Sequence, residues 1–367
     1  MKYFLYCYEN KVMIKYSRKN KRFDMVKRKI FVFIIILVLI GAGVFLAKKY
    51  ISSNTSSTNE TSLSSSTKND DKESPIIEVD EFRPQIVVKG EKFKTKATAK
   101  DETDGDLTNN IEYDSLDTSK EGEYEVTLKV SDKAGNTTEK TQKVIVRDEL
   151  AKSGLPVTMY HFFYDNEKYF KQDNNWLDIN DFDKQLNYLN ENNFYFPTWE
   201  EVEDYLDGKI KLPSKSIVLT CDDGDDSFFD LAVPVMQKYH IPVTSFVITD
   251  WYGYKYDANI EYVVWESHSA GMHQSGSNGK GRIVNWTKAQ IVEDLQKSSQ
   301  ILGGADIFCY PFGHYNDTAI EALKEANYKM AFTVEGGRIT PGMNKYKLPR
   351  VRVAAGNSLE YFKKSVS

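Results

Sequence analysis

From residue 155 onward the chain alternates short apolar runs with amphipathic stretches, and this alternation constrains the fold more than any other feature. Residues 155–161, 216–221, 242–248 and 307–310 read as buried strands, and 328–334 and 351–354 as two more. Helical patterns fall between them at 181–193, with Phe182, Leu186 and Leu189 on one face, and at 228–240, 287–302 and 317–327. Thr198 with Glu201, and Thr287 with Gln290, have the spacing of capping boxes, so each pair opens a helix. Strands joined through helices pair in parallel. Residues 150–367 are therefore expected to form an α/β domain with a parallel sheet, open or closed into a barrel. Chemistry in such folds gathers at the C-terminal ends of the strands.

Asp222, Asp223, Tyr310 and His161 all stand at such ends. Neighbours in a strand point to opposite faces, but Gly224 permits a turn that brings both carboxylates to one cavity. One Asp and two His can hold a divalent ion and leave further positions open, while the second Asp serves as a base beside a water. His268 and His273 are two of only five histidines. Their spacing does not share a helix face, so a loop must bend to bring the imidazoles together, and Gly271 allows such a bend. Tyr310-Pro311-Phe312-Gly313 can present the Tyr310 N–H to an oxyanion.

The charge distribution narrows the partners. Residues 1–50 hold 12 Lys and Arg against 2 Asp and Glu, whereas the whole chain has 48 against 53. The body is acidic, which argues against nucleic acid. Residues 30–47 form an uncharged apolar run of 18 residues, preceded by Lys27, Arg28 and Lys29. That length spans a hydrocarbon core, and the positive flank places the N-terminus in the cytoplasm. The length of the run and Lys48-Lys49 after it favour an uncleaved anchor over a signal peptide. Met25 is an alternative start. The expected order is a basic cytoplasmic segment (1–29), a single transmembrane helix (30–47), a Ser/Thr-rich tether (48–74), a small all-β domain (75–148) and the α/β domain. The three cysteines exclude a disulfide framework: Cys7 is cytoplasmic in this scheme, and Cys221 and Cys309 read as small buried thiols.

Residues 75–148 contain short period-2 strands at 86–88, 124–130 and 143–147, separated by turns at Gly90, Gly105 and Gly135, with no helical stretch. This pattern gives a small β-sandwich. The run from Asp101 to Leu107, with Gly122-Glu123-Tyr124 and Ser131 to Asn136, resembles bacterial Ig-like modules of surface proteins, which act as spacers or adhesive units. Asp101, Asp104 and Asp106 read as a solvated acidic turn, with calcium binding as the alternative.

The region from about residue 155 to the C-terminus resembles the NodB-type polysaccharide deacetylases of carbohydrate esterase family 4. The resemblance implies a distorted (β/α) barrel that removes N-acetyl groups from N-acetylglucosamine polymers, or O-acetyl groups from xylan. Thr220-Cys221-Asp222-Asp223-Gly224 matches the first family motif, with Cys221 replacing Phe, and His268-Ser269 through His273 matches the second. By that match Asp222 is the base, and Asp223, His268 and His273 hold the metal, with zinc as the default. The wider histidine spacing, Met159-Tyr160-His161 and the Tyr310–Gly313 motif without its leading Arg are similar to the biofilm poly-N-acetylglucosamine deacetylase branch. No Leu-x-His follows near the C-terminus, so His161 and His314 are the candidate acids, and Arg350 is the candidate to pair with Asp222. Trp176, Trp251, Trp265 and Trp286 contain any sugar-stacking platform without revealing which ring forms it. The implied enzyme is a membrane-anchored, extracellular, metal-dependent deacetylase of a wall or surface polysaccharide. The alternatives are a glycan-binding or adhesion protein that retains the fold, and an O-acetyl esterase.

Overall fold

The computed structural model describes residues 71–276 and 278–367, together with a short antiparallel ladder of Cys7–Tyr8 on Lys11–Val12. Two compact units divide the chain at Met1–Thr67 and Lys68–Ser367. The expected anchor at 30–47, the rest of the basic segment before it and most of the tether lie outside the described residues. Among the described residues no helix is long and apolar enough to cross a membrane.

Residues 75–148 form two small facing sheets. Ile76–Glu78, Thr98–Asp101 and Gly105–Asp106 make one; Gln85–Val88, Thr137–Arg147, Gly122–Ser131 and Glu112–Tyr113 make the other. Along Gly122–Ser131 every second residue turns inward, so Val126, Leu128 and Val130 meet Val144, Val87 and Phe93 in an apolar core. The Ig-like sandwich thus stands as the sequence pattern implies. It is fastened to the next domain by cations on helix-end carbonyls. Arg83 donates to the Tyr239 and His240 carbonyls, and Arg147 to those of Asn192 and Asn193.

Among the described residues of the second domain, seven strands close a parallel barrel in sequence order: Val157–Tyr160, Val218–Asp223, Val243–Val247, Val263–Ser267, Ile307–Cys309, Met330–Gly336 and Leu348–Arg352. The last strand pairs with the first through Thr158–Val351. The closure is uneven. Val263–Ser267 meets Ile307–Cys309 at a single register pair, and a register shift interrupts Met330–Gly336 against Leu348–Arg352. Both capping boxes form, opening Trp199–Leu206 and Lys288–Ile301.

Several elements depart from the sequence expectation, among them the following. The stretch expected as one helix over 228–240 begins as a π-helix, Phe228–Ala232, before the α-helix Val233–Tyr239. Pro234 lacks the N–H that a continuous ladder would need. Strand Val263–Ser267 was not expected, because Glu266 and Ser267 interrupt its apolar signal. The final strand begins at Leu348, ahead of the expected 351, because Pro349 disguises it. A helix at Leu359–Val366 then closes the chain.

Candidate active site

The site lies at one end of the barrel, where strands Val218–Asp223, Val263–Ser267 and Ile307–Cys309 run out. Asp223 adopts a left-handed backbone at φ 76°, followed by Gly224 at φ 75°. A Cβ on Gly224 would meet Val247 Cγ1 at 3.0 Å, so glycine is needed for space as well as for φ. This double left-handed turn lets adjacent aspartates serve one cavity.

Asp222 is buried against a buried Arg350. The guanidinium grips both carboxylate oxygens at 2.7 Å, from Nη1 to Oδ1 and from Nη2 to Oδ2. Its remaining donors reach Thr333 O and Thr220 Oγ1, both at 3.1 Å. Arg350 is therefore the internal partner of Asp222 and not a surface residue. Burial by itself would raise the Asp222 pKa, but the charge and hydrogen bonds of Arg350, helped by His161 and His268, hold it well below the usual carboxylate range. Cys309 Sγ lies 3.4 Å from Asp222 Oδ2 and 3.0 Å from Arg350 Nη2, a contact that the sequence did not disclose. Cys221 and Cys309 are both free and buried.

Asp223 Oδ1 is 3.4 Å from His268 Nε2 and 3.5 Å from His273 Nε2. These three residues form a cluster whose ligand atoms lie within 4.8 Å of one another. Asp223 Oδ1 is buried and has no hydrogen-bond partner. Burial, then the neighbouring Asp222 and Asp225, push the Asp223 pKa up to about 7. Burial pushes that of His268 down to about 3, with His273 adding to the shift, and burial also lowers that of His273. An orphaned carboxylate oxygen facing two neutral imidazoles fits a divalent cation, whose charge would relieve the repulsion among the aspartates.

The loop carrying the histidines is built for its spacing. Ser269 sits at φ 75°, and the Ala270 and Gly271 N–H groups both donate to the Asp294 carboxylate at 2.7 Å. His268 Nδ1 lies 2.8 Å from Cys309 O, which fixes that ring with Nε2 toward Asp223.

The remaining candidates separate. His161 Nε2 stands 3.9 Å from Asp222 Oδ2, inside the site. Burial lowers its pKa more than Asp222 raises it. His314 instead accepts a hydrogen bond from the Gly281 N–H and packs near Phe312; among the described residues it bonds to none of the site side chains. Tyr310 is corrected as an oxyanion donor. Its N–H is spent on Phe332 O at 3.0 Å, its ring is buried, and its hydroxyl donates to Tyr346 O. The next N–H in the turn, that of Phe312, has no acceptor among the described residues, and the Phe312 ring lies 4.2 Å from that of His273. In the acidic turn of the sandwich, Asp104 pairs with Lys133 and Asp106 caps Thr108.

Comparison with known proteins agrees with this geometry. Residues 209–331 match the polysaccharide deacetylase family, and residues 77–146 match the bacterial surface protein Ig-like domain. The chain carries a polysaccharide deacetylase domain preceded by an Ig-like domain. Over 212 residues it is 28% identical to a poly-β-1,6-N-acetyl-D-glucosamine N-deacetylase of Staphylococcus aureus (strain MRSA252), covering 53% of this chain and 72% of that protein. A Staphylococcus epidermidis protein of the same name is 29% identical over 193 residues, covering 47% and 66%. The structure of IcaB from Ammonifex degensii superposes with a TM-score of 0.51 at 26% identity, covering 59% of this chain and 99% of that one. A deacetylase of Streptococcus pyogenes in complex with acetate, 23% identical with a TM-score of 0.50, covers 58% and 98% and shares the fold.

Proposed function

We propose that the protein is a metal-dependent hydrolase that removes N-acetyl groups from an N-acetylglucosamine-containing surface or wall polysaccharide. The observation that carries this reading is the pairing of a buried, Arg350-held Asp222 with an unpartnered Asp223 oxygen facing two imidazoles. A molecule that only binds glycans has no use for an ionised base locked beside a cation site. The names of the staphylococcal relatives support the substrate class.

Asp223, His268 and His273 would hold the cation, for which a carboxylate and two imidazoles favour zinc. A cation there would supply a Lewis acid that polarises the acetyl carbonyl and eases ionisation of water. Asp222, kept ionised by Arg350, accepts the proton of the attacking water. The Phe312 N–H, free of an acceptor among the described residues, would meet the developing oxyanion. His161, 3.9 Å from Asp222, passes the proton that Asp222 has accepted on to the departing glucosamine nitrogen. The amide C–N bond breaks, acetate leaves with the water oxygen, and the sugar keeps a free amine.

Acetate release from N-acetylglucosamine oligomers by the purified chain tests the reading. Release is expected to vanish with a chelator and return with zinc. Persistent release in chelator would defeat metal dependence, and no release under any condition would favour a glycan-binding role.

The location is part of the same proposal: one helix at 30–47 anchors the chain, with residues 1–29 in the cytoplasm and the enzyme outside. Cys7 should then resist a membrane-impermeant maleimide in intact cells and react after lysis. Labelling in intact cells would reverse the topology.

A further inference from the structure

We propose that Asp71, Asp101 and Asp132 form a calcium site at one end of the Ig-like sandwich, and that the ion pins the chain entering the sandwich to its sheets. The site is separate from the barrel and stands whether or not the barrel is a hydrolase.

The three residues come from separate segments. Asp71 precedes the first strand of the sandwich, Ile76–Glu78; Asp101 ends strand Thr98–Asp101; Asp132 directly follows strand Gly122–Ser131. Each offers an oxygen, and these oxygens lie within 4.8 Å of one another. Asp101 and Asp132 are only 4% and 8% exposed, so water does little to screen the repulsion among the three charges.

The protein's own donors do not complete the cluster. The Thr103 and Asp104 N–H groups both go to Asp101 Oδ1, and Asp101 Oδ2 accepts nothing among the described residues. The Glu73 N–H goes to Asp71 Oδ1, while Asp71 Oδ2 is buried with no partner. Lys133, next to Asp132 in the chain, is taken by Asp104 at 2.8 Å. A buried carboxylate oxygen without a donor is costly unless a cation meets it.

Asn136 holds the segments together. Its Nδ2 donates to Asp132 Oδ2 at 2.7 Å and to the Asp71 carbonyl at 3.1 Å. The Gly135 and Asn136 N–H groups in turn fix Asp132 Oδ1 at 2.7 and 2.8 Å. The entry segment is thus already laid beside the Asp132 turn, with the Asp71 carboxylate brought to the other two.

The donor set selects the ion. Three carboxylates without imidazole or thiolate are hard oxygen ligands, which suit calcium or magnesium better than zinc. Calcium tolerates an irregular shell completed by carbonyls and water, whereas magnesium demands a near-ideal octahedron. Ligands drawn from three segments, one of them outside any strand, fit the more tolerant ion.

The test titrates calcium chloride calorimetrically into the purified full chain, stripped of metal, and into its Asp71→Asn, Asp101→Asn and Asp223→Asn variants. The unaltered chain should bind one calcium with a Kd of about 10⁻⁴–10⁻³ M. Asp71→Asn and Asp101→Asn should each weaken binding at least about tenfold, and Asp223→Asn should leave it unchanged. Calcium should also slow hydrogen exchange in residues 71–78 of the unaltered chain and not of Asp71→Asn. No calcium binding, equal affinity in the unaltered chain and Asp71→Asn, or loss of binding only in Asp223→Asn overturns the site. Magnesium bound as tightly as calcium overturns the choice of ion, and binding without slower exchange overturns the pinning.

Discussion

Two buried carboxylates of the Ig-like sandwich and two of the barrel are met in different ways, although Asp71 Oδ2, beside the sandwich pair, is also buried without a partner. In the sandwich, the buried Asp101 and Asp132 are answered within the same turn. Asp101 accepts from the Thr103 and Asp104 N–H groups, and Asp132 from those of Gly135 and Asn136. Around them the strands alternate inward apolar and outward polar residues. In the barrel, Asp222 is answered by an arginine 128 positions away, and Asp223 Oδ1 is not answered at all. Satisfying polar groups locally is a recipe for a stable module. Keeping ionisable groups buried, coupled over long range and left partly unmet is costly, and persists where chemistry needs it.

The sharpest way to separate stability from function is Asp222→Asn. The amide retains the shape and one acceptor for Arg350 but cannot take a proton. Acetate release should fall about 10³-fold, and the melting temperature should drop as well, because the buried Arg350 loses its counter-charge; activity per folded molecule separates the two effects. A retained rate would remove Asp222 from the base role.

Breaking the same pair from the other side should act on the fold. Arg350→Met leaves the Asp222 carboxylate buried without its partner and should cost about 3–5 kcal/mol in denaturant unfolding. A cost below about 1 kcal/mol would mean that Asp222 finds another donor.

Leu128→Ala, in the centre of the sandwich core and fully buried, should cost about 3 kcal/mol there. Activity per folded molecule should be unchanged. A change in kcat would show that the module does more than space the barrel.

The smallest effect is set by pH. With no cation bound, Asp223 titrates near 7, above its ordinary value of 3.8. Holding a cation requires loss of that proton, so affinity should fall about tenfold per pH unit below about 7. The raised pKa also means that the folded state binds this proton more tightly than the unfolded chain. Its contribution to stability should therefore decline as pH rises from 3.8 to about 7 in chelator, and zinc should reverse the trend. Asp222 has the opposite sign: its depressed pKa stabilises the fold above about pH 4, and that stability is lost in strong acid. Calorimetric zinc titration and melting curves across this range read both signs, and a flat zinc affinity between pH 5 and 7 would exclude Asp223 as the competing group.

Much of this was legible in the sequence because its physics is local. Capping boxes at Thr198 and Thr287, period-2 alternation in Gly122–Ser131 and the aspartates at a strand end each depend on neighbours a few residues apart. The His268–His273 pair was visible for the same reason, and the bend that joins the rings was implied by their spacing. Strand Val263–Ser267 escaped because its last residues are polar, although it is the strand that delivers His268.

Tertiary structure decided what depends on distant partners. The sequence could offer Arg350 to Asp222 only as a candidate; barrel closure, with Leu348–Arg352 pairing back on Val157–Tyr160, put it there. His161 and His314 were equivalent candidates until the fold placed one beside Asp222 and the other on Gly281. Tyr310 looked available until its N–H joined the ladder to Phe332. Local periodicity and capping act over a turn or a strand and can be read along the chain. Burial, pKa and the occupancy of a donor are set by groups that meet only when the barrel closes.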